Sequence, residues 1–302
     1  MTVTKYQPKI SLVLSGGAGR GNAHIGILKV LEREQIPISH LVGVSMGGVI
    51  AAGYAAGMSP QELETEAIRM SHWPRLLELV DRKLPQKGLV MGERIHDYMI
   101  KQVGETTTFN DLRVPLSLVA VDLNEGCEVV LNQGRVADAV RATSAIPGLI
   151  APMYINGCRL VDGGLLNNLP VDVASETGCE IVIAVDVMGG SSKTLFPNWL
   201  GQIPNDTQRS LSIMFKRLHE VKMEQSPPDV LITLNGRLSV NAITGYTRAA
   251  EAIAAGEAAA EDALPQIRQA IANNSPKSES NYPLLTLLAR STSFSNGLAS
   301  VM

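Results

Sequence analysis

Gly43-Val44-Ser45-Met46-Gly47 is a G-x-S-x-G pentapeptide. The apolar run Leu41 to Val44 reads as a strand and the small-residue stretch Met46 to Ala56 as a helix, which puts Ser45 on a strand-to-helix turn. A serine on so sharp a turn projects its hydroxyl off the end of the sheet. Gly43 and Gly47 let neighbouring backbone pass without Cβ clashes, and the first amides of the helix favour a developing oxyanion. That is the chemistry of nucleophilic acyl transfer.

A nucleophilic serine needs a base. The familiar order, a late histidine preceded by an acid, is poorly served here. Downstream of Ser45 stand only His72 and His96, in a segment that reads as a cover, and His219, in a helix among Lys216, Arg217 and Glu220. Asp162 is the better partner. It ends the apolar strand Cys158 to Val161 and precedes Gly163-Gly164, where close backbone approach is expected. A simple Asp-Gly turn is the competing reading. Upstream, Ser15-Gly16-Gly17-Ala18-Gly19-Arg20-Gly21 ends the strand Ile10 to Leu14 and opens a helix. Such a loop offers free amides to an anion. It lacks the G-x-G-x-x-G register and a Walker lysine, so a nucleotide is disfavoured, and in a serine hydrolase the anion is the tetrahedral oxyanion.

The elements that must position these residues alternate. Strand, glycine loop and helix are followed by strand, Ser45 turn and helix; Ser59-Pro60-Gln61-Glu62 then opens a third helix as N-cap, first-turn proline and acid. Strands are expected at Leu116 to Val121, Cys127 to Leu131, Cys158 to Val161, Ile181 to Val187 and Val230 to Thr233, and helices at Gly92 to Val103, Val136 to Ala142, Leu211 to Gln225 and Arg248 to Ala263, the last interrupted by Pro265. The pattern predicts an α/β three-layer sandwich with a mostly parallel central sheet. Ligands of such sheets bind beyond the carboxyl ends of the strands, where the three glycine-flanked turns can converge. One hydrolase domain over 1–272 is expected, with a helical covering segment about 59–103, then a linker and tail over 273–302.

Composition narrows the function. In 302 residues, 26 Lys+Arg against 29 Asp+Glu leave a net charge of −3, with no basic excess for nucleic acid. With 45% hydrophobic residues, the chain can close a large core. Cys127, Cys158 and Cys179 fit neither a disulfide framework nor zinc knuckles and read as reduced core thiols of a cytoplasmic protein; no metal or cofactor is expected. Met1 to Lys9 lacks the apolar run of a signal peptide. The uncharged window Leu41 to Met58 approaches the length of a membrane span, but its five glycines and Ser45 favour the strand-turn-helix reading. Apolar residues between Leu76 and Val90 and in Phe196-Pro197-Asn198-Trp199-Leu200 could meet a lipid surface, giving reversible peripheral contact at the inner membrane face; ordinary packing is the alternative.

Four ordered blocks together resemble the patatin-like phospholipases, most closely their bacterial RssA-like branch. These are Ser15 to Gly21 with His24 and Gly26; Gly43 to Gly47; Ala142-Thr143-Ser144-Ala145-Ile146-Pro147; and Asp162-Gly163-Gly164 with Asn168 and Pro170. The resemblance runs from about Ile10 to Asp186, more faintly to Ile271. It implies a Ser–Asp dyad without histidine, with Ser45 as nucleophile and Asp162 as base, hydrolysing acyl esters of lipids. It also implies an oxyanion hole in Gly16, Gly17, Ala18, Gly19, Arg20 and Gly21, with Ser144, Pro147 and Asn168 bracing the site and His24 structural. The family's loop usually has Gly where this chain has Ala18, so Ala18 is expected to be strained if that position needs a positive φ. A catalytically weak regulatory or binding protein on the same fold is the alternative function.

Overall fold

The computed structural model describes residues 7–78, 91–188, 203–234, 236–238, 240 and 244–275. In chain order these form β1 (Ile10–Leu14), a 3-10 turn (Ala18–Asn22), α1 (Ala23–Arg33), β2 (His40–Gly43), α2 (Ser45–Ala55), α3 (Pro60–Met70), α4 (Trp73–Glu78) and α5 (Glu93–Val103). Next come β3 (Leu116–Asp122), β4 (Cys127–Leu131), α6 (Val136–Thr143), β5 (Met153–Ile155), β6 (Cys158–Asp162), α7 (Val171–Ser175) and β7 (Ile181–Asp186). The remainder is α8 (Ile203–Gln225), β8 (Val230–Thr233), α9 (Thr244–Thr247) and α10 (Ala249–Asn274).

Hydrogen-bonded strand neighbours run β5-β6-β3-β2-β1-β7-β8, and β4 also pairs with β3. From β3 to β8 every pairing on this path is parallel. The β4, β5 and β6 pairings are antiparallel. Continuous apolar strands make this possible, because a parallel sheet is covered on both faces. Along β1, Leu12 and Leu14 enter one core with Ile25, Leu28, Ala51 and Ile253 from the helices, while Val13 enters another with Leu169, Val171 and Ala174. The three-layer sandwich and the strand-turn-helix at Leu41 to Met58 are as expected. So is the start of α3, where Ser59 and Glu62 form a reciprocal capping box with Pro60 in the first turn.

Four expectations need correction. β5 was not anticipated: Asn156 and Gly157 take φ of 51° and 85°, the paired left-handed residues of a tight hairpin turn, and fold Met153–Ile155 back on β6. β6 is therefore antiparallel to β3, and Asp162 reaches the carboxyl end of β2 from a strand running the opposite way. Pro265 does not interrupt α10, which continues to Asn274 because Ala263 and Ile267 on either side of the proline stay buried against the core. The cysteines are not core residues: Cys127 is exposed and Cys158 and Cys179 are half-buried. The candidate lipid-facing residues Leu79 to Val90 and Phe196 to Leu200, and the tail from Pro276, lie outside the described residues.

The longest-range helix contact joins α1 to α10. A Cβ at Gly256 would press into the backbone of Ala23, and one at Gly26 into the backbone of Ile253 and Glu257. Gly→Ala in a helix interior ordinarily gains up to about 1 kcal/mol. Here the sign reverses: Gly256→Ala is expected to lower stability by about 1–3 kcal/mol through overpacking, read by urea denaturation.

Candidate functional site

β2 and β6 share β3 by halves. β2 pairs with Leu116 to Leu118, and β6 with Ala120 to Asp122. Backbone groups of a strand alternate between its two edges. Pro115 O accepts from Leu41 at one end of β3, and Leu123 N–H donates to Arg159 O at the other, so odd-numbered groups face both strands and the two lie in tandem on one edge. Gly43 stands opposite Leu118 and Asp162 opposite Ala120. The chain leaving β2 thus meets the end of β6 with one residue of β3, Val119, between them.

Ser45 follows immediately and holds a φ of +52°, a left-handed conformation that costs a non-glycine residue roughly 1–2 kcal/mol. The turn closes because Gly47 has no side chain: a Cβ there would drive into the carbonyl oxygens of Leu14 and Ser15. Gly43 likewise lies against Gly48. Thr143, at the end of α6, fills the gap on β3. Its hydroxyl donates to Val119 O and accepts from Ser45 N–H at 3.0 Å. Both backbone groups are thereby satisfied in a buried site, and the nucleophile's backbone is fixed.

Asp162 is buried, its carboxyl accepts from Gly164 N–H at 2.8 Å, and the Ser45 side chain lies close enough to favour its charged form. Its own N–H donates to Ala145 O at 3.0 Å. Gly163 packs on Val119 O, where a Cβ would not fit. Desolvation raises the carboxyl to a pKa of about 6, against the lowering effect of Ser45 and of the Gly164 bond. An aspartate poised near neutral pH is a stronger base than a solvated one.

The glycine loop closes the other side. Gly16 N–H donates to Asn168 O at 3.2 Å, Asn168 Nδ2 donates to Gly16 O at 3.3 Å, and a Cβ built on Gly16 would sit 3.2 Å from Ser45 Cβ. Asn168 therefore ties the loop to the segment after Asp162. Arg20 N–H is committed to Gly17 O. The amides of Gly17, Ala18 and Gly19 have no acceptor among the described residues. Ala18 holds a φ of +49°, the strain its sequence position implies. The Arg20 side chain turns away from Ser45 to donate to Val240 O and Met188 O, and Gly21 packs against Met46.

The histidines are engaged elsewhere. His24 is fully buried, bonded to Ser15 O at 2.8 Å and lowered by desolvation to a pKa of about 4, so it is a neutral structural group. His40 bonds Ser117, His96 bonds Asp138, His219 lies 3.6 Å from Asp186, and His72 is exposed. Among the described residues no group of three or more His, Cys, Asp or Glu could hold a metal ion.

Sequence reasoning missed two contributors. Thr143, not Ser144, anchors the Ser45 amide; the Ser144 hydroxyl is buried without a hydrogen-bond partner. Position alone could not separate the two adjacent hydroxyls. Tyr246 is on the four-residue helix α9, and burial first, with the charge of Asp162 second, pushes its phenol up to about 12. Its segment is clamped on the loop by Asn22 Nδ2 donating to Gly245 O, and Gly245 abuts Gly19. A four-residue helix has too little periodicity to be read from sequence.

The family model described as patatin-like phospholipase matches residues 12–175, more than half of the chain, with Ser15 to Gly21, Gly43 to Gly47, Thr143 and Asp162 inside the match. The chain belongs to the patatin-like phospholipase family. It is 32% identical over 217 residues to an uncharacterized NTE family protein of Mycobacterium bovis, covering 69% of this chain and 58% of that one. It is 30% identical over 228 residues to human patatin-like phospholipase domain-containing protein 6, covering 73% of this chain and 16% of that one. The chain thus spans little more than half the length of the first of these relatives. VipD from Legionella pneumophila shares the fold, with a TM-score of 0.50 at 15% identity, covering 86% of this chain and 67% of that one. Tyr246 and its segment lie beyond the matched stretch.

Two outcomes follow from the geometry. Thr143→Val leaves the Ser45 N–H buried and unpaired and is expected to cost about 1–3 kcal/mol of stability, read by chemical denaturation, whereas Thr143→Ser keeps the bridge. Ala18→Gly releases the left-handed strain and is expected to raise stability by up to about 1 kcal/mol in the same assay.

Proposed function

We propose that this patatin-like protein is a serine hydrolase of lipid acyl esters working through a Ser45–Asp162 dyad. The observation that carries the reading is the Ser45 side chain next to a buried, desolvated carboxyl, with free amides of a glycine loop beside it. Ser45 Oγ attacks the ester carbonyl as Asp162 takes its proton. The amides of Gly17, Ala18 and Gly19 receive the oxyanion, and Gly16, Arg20 and Gly21 hold that loop in place. Collapse of the tetrahedral species breaks the ester bond, and the departing alcohol takes the proton back from Asp162. Water then attacks the acyl-serine, giving its proton to Asp162, and the free acid leaves with the Ser45 hydroxyl restored. Because the donors are fixed before reaction, they stabilise the charge as it forms.

The four-block resemblance supports placing the chain in the RssA-like branch. Three cysteines without a disulfide suit a cytoplasmic setting. Among the described residues no helix is long and apolar enough to cross a membrane, so the lipid would be met at its surface. The alternative, a catalytically weak regulatory protein, rests on Ala18, which holds a left-handed φ, and on the C-terminal tail, which lies outside the described residues.

Release of p-nitrophenol from p-nitrophenyl butanoate tests the dyad. Ser45→Ala and Asp162→Asn, both folded, are expected to lose at least about 10³-fold in kcat/KM; full activity in either removes the reading. The wild-type rate should rise with pH through about 6 as Asp162 ionises. Stability moves the other way: the carboxyl holds its proton more tightly folded than unfolded, so this group's contribution falls as pH rises from about 4 to about 6. Asp162→Asn, which carries no charge to bury, is accordingly expected to melt no lower than wild type at pH 7.

A further inference from the structure

The turn after Asp162 joins the carboxyl to the glycine loop. Leu166 N–H and Asn167 N–H both donate to Gly163 O, at 3.1 and 2.9 Å, which brings the Asn168 side chain into the space left by two glycines. A Cβ on Gly16 or on Gly164 would overlap Asn168 Oδ1. Gly164 N–H is the donor to the Asp162 carboxyl, and Gly16 N–H is bonded to Asn168 O, so residue 168 stands between the two halves of the site. Its place depends on its neighbour. Asn167 is buried, and its Nδ2 donates to carboxylates from two other elements, Glu128 of β4 at 3.0 Å and Asp172 of α7 at 2.8 Å.

Two carboxylates converging on one amide repel each other unless a cation lies with them. Lys222 of α8 supplies it, with Nζ 2.6 Å from Asp172 and 3.4 Å from Glu128. Against the desolvation of its position, Asp172 is held below the usual carboxylate range by Lys222 and Asn167, so the cluster stays charged. Val173 of α7 and Met223 of α8 pack on the same core as Val119, which seats both helices beside the turn. The charges also orient the amide. Asn167 Oδ1 is buried without a hydrogen-bond partner, an uncommon state, and turning the amide over would set that oxygen against both carboxylates. We propose that Asn167 and Lys222 are positioning residues for the reaction: the Lys222, Glu128 and Asp172 cluster grips the Asn167 amide and so fixes the Asp162 turn against the glycine loop. A helix more than 50 residues downstream of the carboxyl thereby sets its geometry.

This inference rests on the Ser45–Asp162 reading, so its test has one arm that needs no catalysis. Lys222→Met removes the cation, and Asn167→Asp, of equal size, adds a third carboxylate. Amide hydrogen exchange read by mass spectrometry is expected to quicken about tenfold in both variants over residues 15–21 and 163–168, and to stay unchanged in α1 and α10. In the catalytic arm, kcat on p-nitrophenyl butanoate should fall about tenfold in both while KM stays within about threefold. Lys222→Arg should keep kcat within about threefold of wild type, and adding Glu128→Gln to Lys222→Met, which relieves the repulsion, should restore most of the loss. A lowered melting temperature with unchanged exchange in the two segments overturns the proposal, as does unchanged kcat in folded Lys222→Met and Asn167→Asp proteins. If Ser45→Ala keeps its esterase activity while both segments still exchange faster in Lys222→Met, the dyad fails and the grip on the turn stands.

Discussion

Two strands lie end to end on one edge of β3, and neither bonds the carbonyl of Val119 between them. That vacant acceptor organises the site. Thr143 fills it and fixes the Ser45 amide. Gly163 packs against it and sets where β6 stops. A register slip of one residue on β6 would send the Asp162 side chain to the other face of the sheet, away from Ser45. The nearness of Ser45 to the Asp162 carboxyl is therefore a consequence of strand pairing before it is a property of either side chain.

Close packing of backbone on backbone supplies the rest. Ser45 and Ala18 both hold left-handed conformations, and each is wedged by glycines that admit no Cβ: Gly47 beneath the nucleophile, Gly245 against the loop. Strain of this size persists only where the surroundings over-determine it. Here they do so through Asn168, Asn22 and the Arg20 guanidinium, all bonded to backbone carbonyls across more than 150 residues of sequence. What results is a loop whose Gly17, Ala18 and Gly19 amides are held in place without an acceptor among the described residues.

Electrostatics follows from this burial. Desolvation holds the Asp162 carboxyl above the usual carboxylate range, near neutral pH. The same burial silences His24, which stays uncharged as a strut under Ser15. The Glu128, Asp172 and Lys222 cluster shows the contrasting case: there Asn167 and opposite charges satisfy the carboxylates, and Asp172 is held below its usual range.

Much of the fold was legible because local signals agreed. The apolar runs of β1, β2 and β7, the Ser59-Pro60 capping box and the G-x-S-x-G turn each specify their structure within a few residues. Chemically distinctive residue types made Ser45, Asp162 and the glycine loop candidates before any fold was known, and the strain at Ala18 followed from its missing glycine. The antiparallel course of β6, the choice of Thr143 over Ser144, the place of Tyr246 and the survival of α10 through Pro265 were decided only in three dimensions. Each depends on a partner far away in sequence: the β3 edge, Val119 O, Asp162 and the core under Ala263. Short-range chemistry determined which groups this chain could bring to a reaction, and the pairing of distant strands and helices decided which of them meet.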